Sequence, residues 1–482
     1  LPWLTFLHFA NTAVASITMA LSDFLPAFTL ANIVVAVTVY LLLWAIYCRT
    51  LHPLAKVPGP LWPALSRTWL MYHIYLGDVE IAEKELHARY GKLVRIAPNE
   101  VSSADPAHIP VIYRTANALA KSDYYPTMRP QGISSQADLF TDTDEKHHAS
   151  YRKIVSPAYQ LSSVLKNEAA IDECTVLFIR RMAEFANQRK QLDLGHYLEM
   201  YGYDVIGRVL YGQMFGFLET NTDVGNWIES VAGALPLLTF AAVAPSYART
   251  PIMIMGLLVP GVFKAVMAVN NITAQAKEQT RLRMKDSDED NAKRHDILSQ
   301  LFRIIREKKT SIEFTHKEVT LESWVGIIAG SDSVAITLRS VLYQLMKHPS
   351  SLAKVVAEIE SKDAEGLLSH PVQFSETTTH LPYMCACIKE SARVFPAFAI
   401  QMARVSPPEG LELSGHYLPA GYRAGINAAV VQRDRGIFGA DAETFRPERW
   451  LESDEKNFAL EKGMLNFGAG TRTCSGKNVS AL

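Results

Sequence analysis

A mainly α-helical fold with small β-sheets, in one large domain behind an N-terminal transmembrane helix, is what this sequence predicts. From about residue 65 onward, apolar residues recur with a period of about 3.6, as on one face of a helix. Strand-like runs are short and confined to Leu93–Ile96 and the stretch around Leu411–Ile426, each bracketed by Pro and Gly. No stretch between residues 65 and 482 reads as a linker, a repeat or a low-complexity tract. Length alone suggests about three domains, but 48% apolar residues suffice for a single large core.

The charge pattern and the cysteines exclude some functions. Net charge is −1 and no Lys/Arg run interleaves with aromatic residues, which argues against nucleic acid as a partner. Cys48, Cys174, Cys385, Cys387 and Cys474 form neither a CxxC pair nor an even framework, so a reducing environment with little disulfide use is expected. Cys385 and Cys387 read as core filling.

At the start of the chain, residues 1–24 form an apolar leader of uncertain status; 1–18 either precede a natural start at Met19 or make a second, weaker hydrophobic segment. Leu25–Tyr47 is a run of 23 residues without a charge, long enough to cross a hydrocarbon core of about 30 Å. Arg49, His52 and Lys56 come after it and only Asp23 precedes it closely, so the bulk of the chain is expected on the cytosolic side. Over residues 48–64, Pro53, Pro58, Pro60 and Pro63 preclude a continuous helix and predict a stiff, extended hinge. Leu237–Val259, with Met253 and Met255 and with Met267 beyond, reads either as core or as a greasy lid. Arg281–Asp296 mixes charge signs and reads as a solvated loop.

The longest helix is expected over Thr315–His348, about 50 Å at 1.5 Å per residue. Thr315 and Glu318 fit a capping box, and Pro349 marks the stop. Its apolar middle carries Ala329-Gly330-Ser331-Asp332-Ser333. Glycine in a helix costs about 1 kcal/mol relative to alanine, and buried polar groups are unfavourable unless used. A satisfied kink is the plain reading. A groove where a ligand meets the backbone, with Asp332 and Ser333 handling protons, is the functional one.

The most restrictive pattern lies near the end, in Phe467-Gly468-Ala469-Gly470-Thr471-Arg472-Thr473-Cys474-Ser475-Gly476. A lone cysteine in a glycine-rich turn is usually a small buried apolar residue. Here, however, glycines let backbone amides approach the sulfur. A thiolate needs such stabilisation to bind metal, and Arg472 can take a carboxylate bidentately. This is a thiolate cradle beside an anionic cofactor, as where cysteine is the axial ligand of haem iron.

The pattern F-G-x-G-x-R-x-C-x-G resembles the haem-binding loop of the cytochrome P-450 family, and the resemblance extends to the family's other motifs over residues 25–482. It implies the cytochrome P-450 fold, with a long central helix over heme b (iron protoporphyrin IX). Cys474 would be the iron ligand, Arg472 a propionate contact and Phe467 a packing partner of the sulfur, with Gly468 and Gly476 shaping the loop. Ala329–Ser333 is similar to the oxygen-activation motif, with Ser333 in place of the usual threonine and Val334 in place of the next hydroxyl residue. Glu390, Arg393 and Arg449 look like the E-x-x-R and P-E-R triad, while His148, Arg152 and Arg404 match cationic positions facing the haem. Gly216–Trp227 looks like filamentous-fungal members of the pisatin-demethylase-like type.

The activity implied by this resemblance is that of a membrane-anchored haem-thiolate monooxygenase. It would take an apolar small molecule, dioxygen and electrons from an NADPH-dependent cytochrome P-450 reductase, at the endoplasmic reticulum membrane, in secondary metabolism or detoxification. Specificity is expected in 115–140, 225–265 and 396–403. Alternatives are a haem-dependent dehydratase or isomerase that does not use dioxygen, an apolar-ligand binder, or an inactive truncated member. Eight residues follow Cys474, where family members continue through a further helix and a β element. The expectation is therefore that these 482 residues alone bind haem weakly or give a non-thiolate carbon monoxide spectrum, restored by a C-terminal extension.

Overall fold

A computed structural model describes residues 30–287, 289, 293–307 and 312–482. The leader over 1–24 and residues 25–29 of the expected span lie outside these. The first helix, α1 (Leu30–Thr50), exposes valines, leucines and isoleucines along its length and is long and apolar enough to cross a membrane. Val224–Val243 and His316–Lys347 meet the same criterion, but protein covers far more of their surface.

The proline-rich stretch after α1 lies docked against the domain, with His52, Leu54 and Val57 buried. Arg95 Nη1 donates to Cys48 O at 2.9 Å at the end of α1, and Arg95 N donates to Pro58 O at 2.8 Å. Gly59 has φ +155°, and a Cβ there would lie 2.9 Å from Arg95 O, so this contact requires glycine.

Beyond α2 (Val79–Tyr90), strands β1 (Leu93–Ala97) and β2 (Glu100–Ser103) form an antiparallel pair. The late strand β6 (Arg423–Ile426) joins β2 in parallel, and β3 (Arg404–Val405) closes the sheet in the order β1-β2-β6-β3. A separate hairpin pairs β4 (Leu411–Leu413) with β5 (His416–Leu418). β1, β4, β5 and β6 thus lie in the two stretches read as strand-like, while β2 and β3 lie outside them.

The rest is helical. α3 (Glu145–Val155), α4 (Leu194–Tyr211), α5 (Trp227–Val243) and α6 (Pro260–Arg283) precede the long α7 (His316–Lys347). α4, α6 and α8 (Pro382–Val394) all pack on α7. Thr315 and Glu318 form the capping box, and Pro349 opens the next helix rather than merely ending this one. The main apolar core lies between α4 and α7, where Tyr203 stacks on Phe217 at 4.9 Å.

At its two ends Arg281–Asp296 departs from the solvated loop expected, residues 288 and 290–292 lying outside the described ones. Arg283 ends α6 buried, its Nη1 donating to Asp296 Oδ1 at 2.8 Å and its Nη2 to Tyr211 O at 3.0 Å. Mixed charge in a sequence does not reveal which pair will be sealed inside.

Glu83 on α2 is wholly buried, with Ser102 Oγ at 3.4 Å, and burial pushes its carboxyl up to about 8. Between its ordinary 4.5 and about 8 the folded chain keeps a proton that the unfolded chain has released. Stability contributed by this site therefore falls as pH rises through that window. Urea unfolding as a function of pH should show the decline in the native chain and a flatter profile in Glu83→Gln.

Candidate active site

The site begins with a buried carboxylate. Arg393 Nε and Nη2 donate to Glu390 Oε2 and Oε1 at 2.8 and 2.7 Å, one helical turn apart on α8. Arg449 Nε reaches Oε1 at 3.0 Å and Trp450 Nε1 reaches Oε2 at 2.9 Å. Burial pushes the Glu390 carboxyl up, but Arg393, the Arg446 amide and Arg449 outweigh it and hold it below its usual range. The two guanidiniums also gather the carbonyls of Gln432, Ala442 and Thr444.

Gln432, which sequence reasoning did not single out, carries this order onward. It is wholly buried; its Nε2 donates to Ala392 O and Arg393 O, and its Oε1 accepts from Leu465 N at 2.8 Å. Two residues later the cysteine loop begins.

Cys474 N donates to Phe467 O at 2.8 Å and closes that loop. Gly468 and Gly470 turn it with φ +67° and +66°. A Cβ on Gly470 would lie 2.4 Å from Tyr113 O, so no side chain fits. Cys474 has an exposed face and Phe467 is half exposed beside it. Burial pushes the thiol up, while the Gly476 amide, Arg152 and the Lys477 amide pull it back. Two backbone donors and a guanidinium thus address one sulfur.

Around the loop lies a basic cluster. On α3, capped by Asp144, His148 and Arg152 sit one turn apart. Arg152 Nη1 donates to Thr471 O at 3.2 Å. Arg472 Nη2 donates to Glu145 Oε1 at 2.6 Å, yet its Nη1 is buried without a partner among the described residues. Arg404 is buried against the rings of Tyr113 and Tyr125 and bonds Tyr125 Oη at 3.1 Å. Burial, then Arg472, Lys121 and Arg152, pushes His148 down to about 2, so it stays neutral.

Lys121 was missed. It is buried, with Nζ donating to Phe140 O at 2.6 Å, and burial followed by Arg404 and Arg472 pushes it well below its ordinary range. Its only sequence signal was a lone lysine among apolar and aromatic neighbours. Glu145 was missed as well, since it reads as an ordinary first-turn acid. Among the described residues the carboxylates facing Lys121, Arg152, Arg404 and Arg472 are Glu145 and Asp138, with the Cys474 sulfur beside Arg152, so the cluster is short of negative charge.

On α7 the polar run divides between two faces. A Cβ at Gly330 would lie 2.5 Å from Ile206 Cδ1, and one at Gly202 would lie 2.8 Å from Ser331 O. Gly330 thus admits the close approach of α4 and α7. Ala329 and Ser333 instead share an exposed face, with Ser333 Oγ donating to Ala329 O at 2.7 Å. Asp332 lies on the other side, near Glu199 and Tyr203. Burial pushes its carboxyl up and Arg339, paired with Glu199, pulls it back.

Among the described residues no group of three or more His, Cys, Asp and Glu side chains could hold a metal ion. What the arrangement offers is one cysteine sulfur that a metal could take, with cations alongside for an acidic group.

The cytochrome P450 family model matches residues 60–482. The chain is 39% identical over 454 residues to the cytochrome P450 monooxygenase gsfF of Penicillium aethiopicum, covering 94% of this chain and 90% of that protein. It is 34% identical over 436 residues to the cytochrome P450 monooxygenase cicH of Emericella nidulans, covering 89% and 85%. Similarity to a pisatin demethylase of Fusarium vanettenii is 32% over 450 residues, covering 93% and 84%.

Arg449→Met leaves the buried Glu390 with one guanidinium and should destabilise the fold by about 3–5 kcal/mol. Guanidinium unfolding measures this, and a loss below about 1 kcal/mol would place the network's weight elsewhere.

Proposed function

This chain belongs to the cytochrome P450 family and is a monooxygenase, an oxidoreductase; from that premise we propose a membrane-anchored haem-thiolate enzyme acting on an apolar small molecule. The family brings a haem cofactor, dioxygen and a redox partner. Our reading makes these heme b and an NADPH-dependent cytochrome P450 reductase. It places α1 in the endoplasmic reticulum membrane with the domain on the cytosolic side. Fungal relatives such as gsfF and cicH support a role in secondary metabolism, with detoxification the other possibility.

One observation carries the reading. A thiol addressed by two amides and a guanidinium lies beside basic groups that have too few carboxylates. The buried, unpartnered Arg472 Nη1 fits an acceptor such as a porphyrin carboxylate. Cys474 would hold the iron, and Arg472, Arg152, Arg404, Lys121 and His148 would surround the two acidic side groups. When bound, haem supplies the dioxygen chemistry that puts one oxygen atom into the substrate and releases the other as water.

The chain's own residues then position and protonate. Ser333 Oγ, on the open face of α7, holds a proton where oxygen is handled. Its hydroxyl is tethered to Ala329 O, although serine lacks the β-branch that restricts χ1 in threonine. Asp332, with its carboxyl above the usual range, can carry a proton from the Glu199–Arg339 side. This acid–alcohol pair favours monooxygenation over a peroxide isomerase.

Cys474→His should abolish the thiolate-type absorption of the reduced carbon monoxide complex; a band that survives would sink the ligand assignment. Ser333→Ala and Asp332→Asn should retain haem but form less product per NADPH consumed. Unchanged coupling in both would remove them from proton delivery.

A further inference from the structure

Lys121 and Arg404 pair across an isolated antiparallel bridge, and Ser122 N donates to Ala403 O at 3.3 Å. Side chains alternate between faces along paired extended segments. Lys121 and Arg404 serve the basic cluster, so Ser122 and Ala403 turn away from it. There they line a cavity of about 30 Å³, whose apolar walls include Ile74, Val243 and Ile400.

Among the described residues, Ser122 Oγ, on a wholly buried residue, and Gln401 Oε1 line this cavity without a hydrogen-bond partner. The Gln401 amide is held in one orientation, because Nε2 donates to Glu100 Oε1 at 2.9 Å and Val101 O at 3.2 Å. Oε1 is therefore left as the free acceptor. Gly425 makes this placement possible, since a Cβ there would lie 2.4 Å from Gln401 Cγ.

The charges nearby are already committed. Arg67 pairs with Glu100 and donates to Val243 O at 3.1 Å, and Arg423 pairs with Asp123 at 2.6 Å. A carboxylate would find no free cation here. The volume suits one water-sized group. A hydroxyl supplies one proton for Gln401 Oε1 and one acceptor for Ser122 Oγ–H. A methyl ether has no such proton and is larger.

We propose that this cavity is a substrate subsite that reads a single hydroxyl group, alcohol or phenol, on an otherwise apolar substrate. The inference rests on the haem monooxygenase reading above and adds a substrate class to it.

The test uses imidazoles bearing N-alkyl chains of increasing length, each ending in a hydroxyl or in a methyl group. Imidazole binds haem iron and shifts its absorption, so affinity is read without turnover. At one chain length the alcohol should bind about tenfold more tightly than its methyl counterpart, roughly one good hydrogen bond in a dry site. Ser122→Ala, which removes only the hydroxyl, and Gln401→Met should each erase that advantage. No hydroxyl advantage at any length, or one that survives both substitutions, would overturn the proposal and leave the cavity a site for water only. Failure of every imidazole to shift the spectrum would instead sink the haem reading itself.

Discussion

The carboxylate of Glu390, held between Arg393 and Arg449 with all three side chains closed to solvent, is the constraint on which Cys474's position depends. A buried charge must be fully paired or it opposes folding, so this cluster forms whole or not at all. Its two arginines bind carbonyls across residues 432–444, and Gln432 relays that order to Leu465. The cysteine loop then starts from a fixed point. Its closure by Cys474 N and Phe467 O adds a second restraint at the far end. Sulfur placement thus depends on a network whose acidic member lies 84 residues upstream.

Two electrostatic environments meet around that loop. At Glu390 the carboxylate is fully paired, and its two arginines are completed by Asp441 and by backbone carbonyls, so the network is mechanical. At Lys121, Arg152, Arg404 and Arg472 cations outnumber carboxylates, and His148 is kept neutral by burial and then by its cationic neighbours. Unbalanced buried charge opposes folding unless a ligand completes it, which separates the binding region from the scaffold. The long helix α7 makes the same division within one turn. Gly330 and Ser331 are given to packing against α4, while Ala329 and Ser333 stay uncovered.

The docked stretch after α1 shows how a stiff connector becomes part of the domain. Pro53, Pro58 and Pro60 lie outside helix, but a short helix, Leu61–Leu65, forms around Pro63 within the expected hinge, and Arg95 ties both the end of α1 and Pro58 to β1. The angle at which the apolar helix leaves the domain is therefore governed by contacts with the sheet.

Much is legible in the sequence because it depends on local rules. Helical period, the Thr315–Glu318 cap, the short strands and the uncharged N-terminal run are written in neighbouring residues, and the cysteine loop is a contiguous pattern dense in glycine. Glu390 and Arg393, one turn apart, are readable as a pair. What the tertiary structure alone decided were relations between segments distant in the chain. Lys121 faces Arg404 and Arg472, Glu145 meets Arg472, Gln432 bridges α8 to the loop, and Gly330 abuts Ile206. Arg283 was hidden in a mixed-charge run because burial depends on what packs over a residue. Local sequence sets backbone preference and polarity within a few residues, whereas pairing, desolvation and close approach exist only once the chain has closed on itself.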